Sequence, residues 1–308
     1  MPPPGRDAGR ARHSYLVFVL VLLATSALAT GAMVAPQARA RDVTLRVMTY
    51  NVREDMDPPP RDWRSRRPLM ARLLDRQDPD LLGLQEAIWP QVRDLLADMP
   101  GYGWIGMGRE GGSRDEFMAI LYRRDRFEVL EFDHFWLSAT PSVMGSKTWG
   151  NRYVRMVTWV RFRDRRNGVV FYHVNSHFDN RSQRAWWKGA ELLLRRVRAF
   201  RPGTPVIFTG DFNVPAGRHP GYDLLTGPGA FDDTWRAARS RGPVYNTYNN
   251  WRPPVPGGNR VDWILTRGDV GTRWTGIDTY HEGDRFPSDH YPVVADLTLR
   301  GRMPDPGR

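Results

Sequence analysis

Three features of the sequence predict an α/β fold. Strand-length apolar runs recur from Val43 to Leu299, amphipathic stretches with helical spacing come between them, and two β-rich runs flank an Asn-Gly pair. About 260 residues carry these features, enough for one large domain with a sizeable core. With no internal repeat and no obvious linker, the domain is read as residues 41–300, followed by a short Pro/Gly tail at 301–308.

VTLRVMTYNV (43–52) alternates enough to form a first strand. RRPLMARLLDRQ (66–77) has helical spacing, with Pro68 in its first turn and Leu69, Leu73 and Leu74 on one face. LLGLQE (81–86) is short and apolar, as a buried strand would be, and FMAILY and FEVLEFDHFWLS suggest a pair of strands. The clearest local signal is YVRMVTWVRFRDRRNGVVFYHVNSH (153–177), in which Asn167-Gly168 suits a hairpin turn needing positive φ. From Ser182 the period changes. Trp186, Ala190, Leu193, Val197 and Phe200 form an apolar stripe opposite Arg184, Lys188, Glu191, Arg195 and Arg198, a helix stopped by RPG. Strands return at VIFTG, RVDWILTR and YPVVADLTL. Trp186 lies on the apolar stripe and is read as core, whereas its neighbour Trp187 is open to a stacking role.

The first forty residues read as a secretory signal outside the fold. Arg6, Arg10, Arg12 and His13 precede an uncharged stretch from Ser14 to Gln37, and QARA places Ala38 and Ala40 at the small-residue positions of a cleavage site. Cleavage near Ala40 would give a secreted or periplasmic protein beginning near Arg41. The competing reading is an uncleaved membrane anchor, since about 20 apolar residues can span a bilayer. Cysteine is absent, which excludes thiol and zinc-thiolate chemistry. The net charge is +11, and the first forty residues hold four Arg and one Asp, so +8 remains on the mature chain. Nucleic acid, phosphoesters or a membrane surface would suit that balance. The Arg, Gly, Pro and Ala content is also what a GC-rich genome produces.

Polar groups gather at the strand ends. RVMTYN ends in Asn51, LLGLQE in Glu86, VFYHVNSH in His177, and VIFTGDFN in Asp211 and Asn213. RVDWIL carries Asp262 near its start, and FPSDHYPVV places Asp289 and His290 just before the last strand. Each has a local explanation as a turn former, a helix-start acid or a strand-edge charge. Six such coincidences at strand mouths are better explained by one site, because α/β folds gather ligands there. Oxygen donors without thiolates favour a hard cation, Mg²⁺ or Mn²⁺. Together with two imidazoles and two amides they suit hydrolysis of a phosphate ester.

TYNVR, LLGLQE, VNSHFD, TGDFN, RVDWIL and PSDHYPV, in this order over almost the whole mature chain, resemble the endonuclease/exonuclease/phosphatase superfamily. FWLSATPSVMGSKTW is similar to a tract of a bacterial, often secreted branch. The resemblance implies a four-layer sandwich of two mixed β-sheets packed face to face and flanked by helices. It implies Glu86 as the main Mg²⁺ ligand with Asn51 and Asp289 nearby. Phosphate contacts would come from Asn51, His177, Asn213 and His290. Asp211 and Asn213 would orient the attacking water, and Asp262 would orient His290. Either Asp211 or the Asp262–His290 pair would take the water's proton. The abasic-site enzymes carry an acid two residues after the first Asn, where this chain has Arg53, which weakens a second metal site and the analogy to DNA repair. The expected protein is a monomeric, Mg²⁺-dependent phosphoesterase acting on a phosphodiester or phosphomonoester. An extracellular nuclease and a non-catalytic basic binding module are the alternatives. Specificity is expected in loops 53–63, 107–116, 139–152 and 246–259.

Overall fold

A computed structural model describes residues 42–300; the expected signal segment and the tail lie outside the described residues. In chain order the elements are β1 (Val43–Asn51), α1 (Trp63–Gln77), β2 (Leu81–Gln85), α2 (Trp89–Asp98), β3 (Tyr102–Ile105), β4 (Ile120–Arg123), β5 (Phe127–Trp136), β6 (Met156–Asp164) and β7 (Val170–His177). Then follow α3 (Gln183–Arg198), β8 (Val206–Asp211), α4 (Pro220–Thr226), β9 (Asp232–Asp233), α5 (Thr234–Ala237), β10 (Ser240–Arg241), β11 (Asp262–Arg267), β12 (Val270–Ile277) and β13 (Val293–Leu299). A seven-stranded sheet has the order β10-β12-β13-β1-β2-β4-β3 and a six-stranded sheet the order β5-β6-β7-β8-β11-β9. Both are mixed, with β1·β2 and β7·β8 parallel inside otherwise largely antiparallel sheets. Among the described residues no helix is long and apolar enough to cross a membrane.

The strands' two-residue period builds the layers. Leu45, Val47, Leu81, Ile207 and Ile264 fill the space between the sheets. Their neighbours Met48 and Leu82 pack outward with α1 and α2, while Phe208, Trp263 and Leu265 pack outward with α3 and α4. The result is the expected four layers. β2 and β8 are buried along their whole length, which is why LLGLQ and VIFTGD read as continuous apolar runs rather than alternating ones.

Near the strand ends, the space between the sheets turns polar. Asn175 Nδ2 donates across the gap to the carbonyls of Leu84 (2.7 Å) and Ala119 (3.0 Å). Its Oδ1 accepts from Gln85 Nε2 (2.7 Å) and from Thr209 Oγ1 (3.1 Å), which also meets His173 Nε2 at 2.9 Å. Gly83 makes this approach possible, since a Cβ there would lie 2.1 Å from Thr209 Oγ1. The layer seats the two sheets in one register beneath the candidate site.

The structure corrects three local expectations. FMAILY and FEVLEFDHFWLS are not partners, because β4 pairs with β2 and β3 while β5 pairs with β6 in the other sheet. The chain crosses between sheets within Arg124–Arg126. Helix α1 starts at Trp63, so Pro68 sits inside it rather than in its first turn. Tertiary anchoring overrides the proline: Trp63 donates to Asp55 and Asp94, and buried Arg66 holds the carbonyls of Val52, Arg53, Arg61 and Pro287. The hairpin turn is looser than a two-residue one, closing from Asp164 to Val169 with only Gly168 at positive φ (+76°). Trp186 is buried in the core, and Trp187 is 37% exposed with its indole N–H on Glu191.

Candidate active site

Strand direction brings the polar ends together. β1, β2, β7 and β8 all run toward the same edge, and the antiparallel β11 and β13 begin there. The register seats Asp211 directly between His177 and Asp262, and Asn51 beside Gln85, one residue before Glu86. Arg53 (φ +58°), Glu86 (φ +62°) and Asn213 (φ +56°) each adopt the left-handed region just past a strand. That conformation costs an L-residue about 1 kcal/mol or more, and such strain clusters where geometry matters to function. The bend turns each side chain from the sheet direction into the common mouth.

Asp211 is the centre of the cluster. Its Oδ1 accepts from Asn213 N (2.9 Å), and its Oδ2 accepts from Asn51 Nδ2 (3.0 Å). The same Oδ2 lies 3.4 Å from His177 Nε2 and 3.8 Å from His290 Nε2. Asn51 Nδ2 also donates to Glu86 Oε1 (2.8 Å), while its Oδ1 accepts from Arg53 N. Asn51 thus presents donors to both carboxylates. Asp262 Oδ2 lies 2.9 Å from His290 Nδ1, and Ser288 Oγ ties the following turn to the Asn51 carbonyl at 2.7 Å. Asp289 stands apart from Asp211, facing Arg53 Nε at 3.9 Å. All eight expected residues therefore line one mouth, with Glu86 and Asp289 on the side of Arg53.

The surroundings of the two histidines push their rings in opposite directions. Burial pushes His177 down to about 3, with Arg155 adding to the effect, so its ring is neutral at pH 7. Asn213 Nδ2 donates to the Phe178 carbonyl (3.0 Å), which fixes that atom as the amide nitrogen; its other hydrogen meets His177 Nε2 at 2.8 Å. The His177 proton then lies on Nδ1, 3.7 Å from Glu116 Oε2. For His290, burial works downward but the charge and hydrogen bond of Asp262, with Asp211 and Asp289, outweigh it and raise the ring well above its ordinary value. The Asp262 carboxylate thus favours the protonated ring. Burial and the neighbouring Asp262 raise the Asp211 carboxyl.

Glu116 and Arg155 were not legible as site residues. Glu116 sits between Arg109 Nη1 (2.6 Å), Arg155 Nη1 (4.0 Å) and His177, and burial raises its carboxyl. No strand-end motif marks either residue: Glu116 closes the loop 107–116, expected only to set specificity, and Arg155 precedes β6. Tyr248, in the loop 246–259, packs its ring 5.1 Å from that of His290. On the other side, a cavity of about 210 Å³ lined by Asp179, Arg181, Gln183, Trp186 and His219 opens beside Asn213.

The donors fit a hard divalent cation. Glu86 Oε2 is buried without a hydrogen-bond partner, and single ligand atoms of Glu86, His177 and Asp211 lie within 4.8 Å of one another. A buried carboxylate oxygen with no donor is a group that a divalent cation would satisfy.

A family model for the endonuclease/exonuclease/phosphatase family matches residues 48–290. A protein of that family from Bacteroides thetaiotaomicron is 31% identical, covering 84% of this chain and 99% of its own, with a TM-score of 0.80. A mannosyl-6-phosphatase from the same organism is 32% identical over 82% of this chain and 99% of its own, with a TM-score of 0.78. An uncharacterized protein of Acanthamoeba polyphaga mimivirus is 22% identical in a 204-residue alignment that covers 54% of this chain and 30% of that protein. The chain thus spans under a third of the length of that viral relative. From the match over most of the described domain, and from the two-sheet sandwich it shares with these structures, the chain belongs to the endonuclease/exonuclease/phosphatase family of phosphoester hydrolases.

Proposed function

We propose that the chain is an exported, Mg²⁺-dependent phosphoesterase that cleaves a phosphodiester or phosphomonoester by in-line attack of water. The observation that carries this reading is geometric: buried Asp211 Oδ2 lies 3.8 Å from His290 Nε2, whose ring is held through Nδ1 by Asp262 at 2.9 Å. A proton acceptor and a cationic donor then face the same small volume. Glu86, with Asp289 beside it, would hold the cation, whose bound charge offsets that of a phosphoryl oxygen. Asp211, fixed by Asn213 N and Asn51 Nδ2, orients the attacking water and takes its proton. The His290 imidazolium meets the negative charge developing on phosphorus-bound oxygens, and Asp262 keeps it protonated. Likeness to the mannosyl-6-phosphatase supports a phosphate ester as substrate.

The test is hydrolysis of a panel of sugar phosphates, 4-nitrophenyl phosphate, bis(4-nitrophenyl) phosphate, DNA and RNA, with Mg²⁺ and with excess chelator. Activity on at least one ester that chelator abolishes, and that Glu86→Gln loses while keeping its melting temperature, is expected. Undiminished activity in chelator would remove the metal from the scheme. Export rests on residues 1–40 as a sequence signal.

A further inference from the structure

Arg53 occupies an unusual position for a cation, because it faces the carboxylates that would bind one. Its Nη1 lies 3.7 Å from Glu86 Oε2 and its Nε 3.9 Å from Asp289 Oδ2. The residue is not a loose surface arm. Its backbone is held at φ +58°, its N–H donates to Asn51 Oδ1 (3.0 Å), and its carbonyl accepts from buried Arg66 Nη2 and from Gln91 Nε2, both at 2.8 Å. The guanidinium is clamped as well. Nε and Nη2 bond the two oxygens of Asp57 at 2.8 and 3.2 Å, which fixes the plane and leaves Nη1 with no hydrogen bond.

A bare structural ion pair would not need this arrangement. The pair with Asp57 is complete through two of the three nitrogens, yet the third is directed at the mouth, next to a buried Glu86 oxygen that has no donor either. At 3.7 Å the two do not satisfy each other by a hydrogen bond. The side chain is 23% exposed, so Nη1 is open to a ligand entering the mouth. A fixed guanidinium with a free N–H pair is suited to a phosphate oxygen.

The substrate's own charge decides what such a group is for. A phosphodiester offers two non-bridging oxygens and one negative charge, for which a cation held by Glu86, together with His290 and the neighbouring amides, would suffice. A phosphomonoester carries a third oxygen and close to a second charge near neutral pH. Building on the phosphoesterase reading, we propose that Arg53 is the site's built-in second cation. It takes the place of a second metal ion beside Glu86 and Asp289, and its Nη1 receives the third oxygen of a terminal phosphate, so that phosphomonoesters are the preferred substrates.

Three measurements on the full mature chain test this. Titration with Mn²⁺, with free ion read by electron paramagnetic resonance, should find one ion in the wild type and two in Arg53→Asp. Calorimetric titration of inorganic phosphate in the presence of Mg²⁺ should show binding at least about tenfold weaker in Arg53→Gln, the loss expected for one charged hydrogen bond. In kcat/KM, Arg53→Gln should lose at least tenfold more on 4-nitrophenyl phosphate than on bis(4-nitrophenyl) phosphate, with Arg53→Lys between the two. Two Mn²⁺ ions in the wild type, phosphate binding unchanged in Arg53→Gln, or equal losses on both esters would overturn the proposal. Were the variants to misfold, the wild-type Mn²⁺ count still decides. Should the wild type cleave none of the esters in the panel above, the phosphoesterase reading fails, while the Mn²⁺ and phosphate titrations continue to judge Arg53.

Discussion

Replacing Asp262 by Asn keeps the side chain's shape and removes the carboxylate charge that lies 2.9 Å from the His290 ring. Both residues are buried, and for His290 burial alone works against the protonated form. Without the Asp262 charge, only Asp211 and Asp289 oppose that burial, so the ring is expected to lose its proton below neutral pH. At pH 7 Asp262→Asn should therefore lower kcat by at least about a hundredfold, the low end for an acid–base group. His290→Ala should do the same, and the double variant should be little worse than the poorer single. The coupling between them is then about 2.7 kcal/mol, the free-energy equivalent of a hundredfold change. The pH profile makes the test specific. Asp262→Asn should regain activity by about tenfold per unit as pH falls from 7.5 to 5.5, because acid restores the imidazolium that the carboxylate no longer maintains. The wild type, whose ring stays protonated throughout, should show no such rise. Single-turnover rates across that range, with thermal melts to check folding, supply the data. Losses that multiply, or an Asp262→Asn profile parallel to the wild type, would refute the unit and leave Asp211 to act alone.

Acid should also destabilise the fold through His173, which burial lowers to about 3. Below about pH 6.5 the unfolded chain binds a proton that the native ring refuses, so stability falls with pH by about 1.4 kcal/mol per unit, or about 2 kcal/mol by pH 5. Chemical denaturation at pH 7 and 5 should show a smaller drop in His173→Gln, and an equal drop would remove this residue as a cause. Gly83→Ala places a Cβ 2.1 Å from Thr209 Oγ1 and should cost about 1–3 kcal/mol, lowering Tm by several degrees in a scan; an unchanged Tm would mean the polar layer yields freely. Protein recovered outside the cytoplasm should begin at or near Arg41 on N-terminal sequencing, whereas Met1 or Pro2 in a membrane fraction would favour the anchor.

What could be read from the sequence was what one strand or helix decides locally. The apolar stripe of α3, the 153–177 hairpin and the polar residue closing each strand are written in adjacent positions. Sheet membership was not. β4 and β5 look like neighbours because they are adjacent in the chain, yet the three residues between them carry the chain from one sheet to the other. Likewise α1 begins before its own pattern suggests, because Asp55, Asp94 and the carbonyls around Arg66 supply partners from elsewhere. Glu116 escaped for the same reason. Its importance is a matter of standing between Arg109, Arg155 and His177, which come from distant segments, and nothing beside it in the sequence carries that information.

The polar layer beneath the mouth has a further consequence. Asn51 and Glu86 hang from one sheet and His177, Asp211 and Asp262 from the other, joined below by Asn175, Gln85 and Thr209. The reactive centre is thus a seam, and any ligand that touches both sides is a brace across it. A ligand at a hundred times its Kd adds about 2.7 kcal/mol to the stability of the state that binds it. That gain would fall on the docking of the two sheets rather than on either sheet alone. Amide hydrogens along the seam, such as those of Leu84 and Asn175, should then exchange more slowly in the presence of phosphate and Mg²⁺, while those of the outer strands β3 and β5 keep their rates.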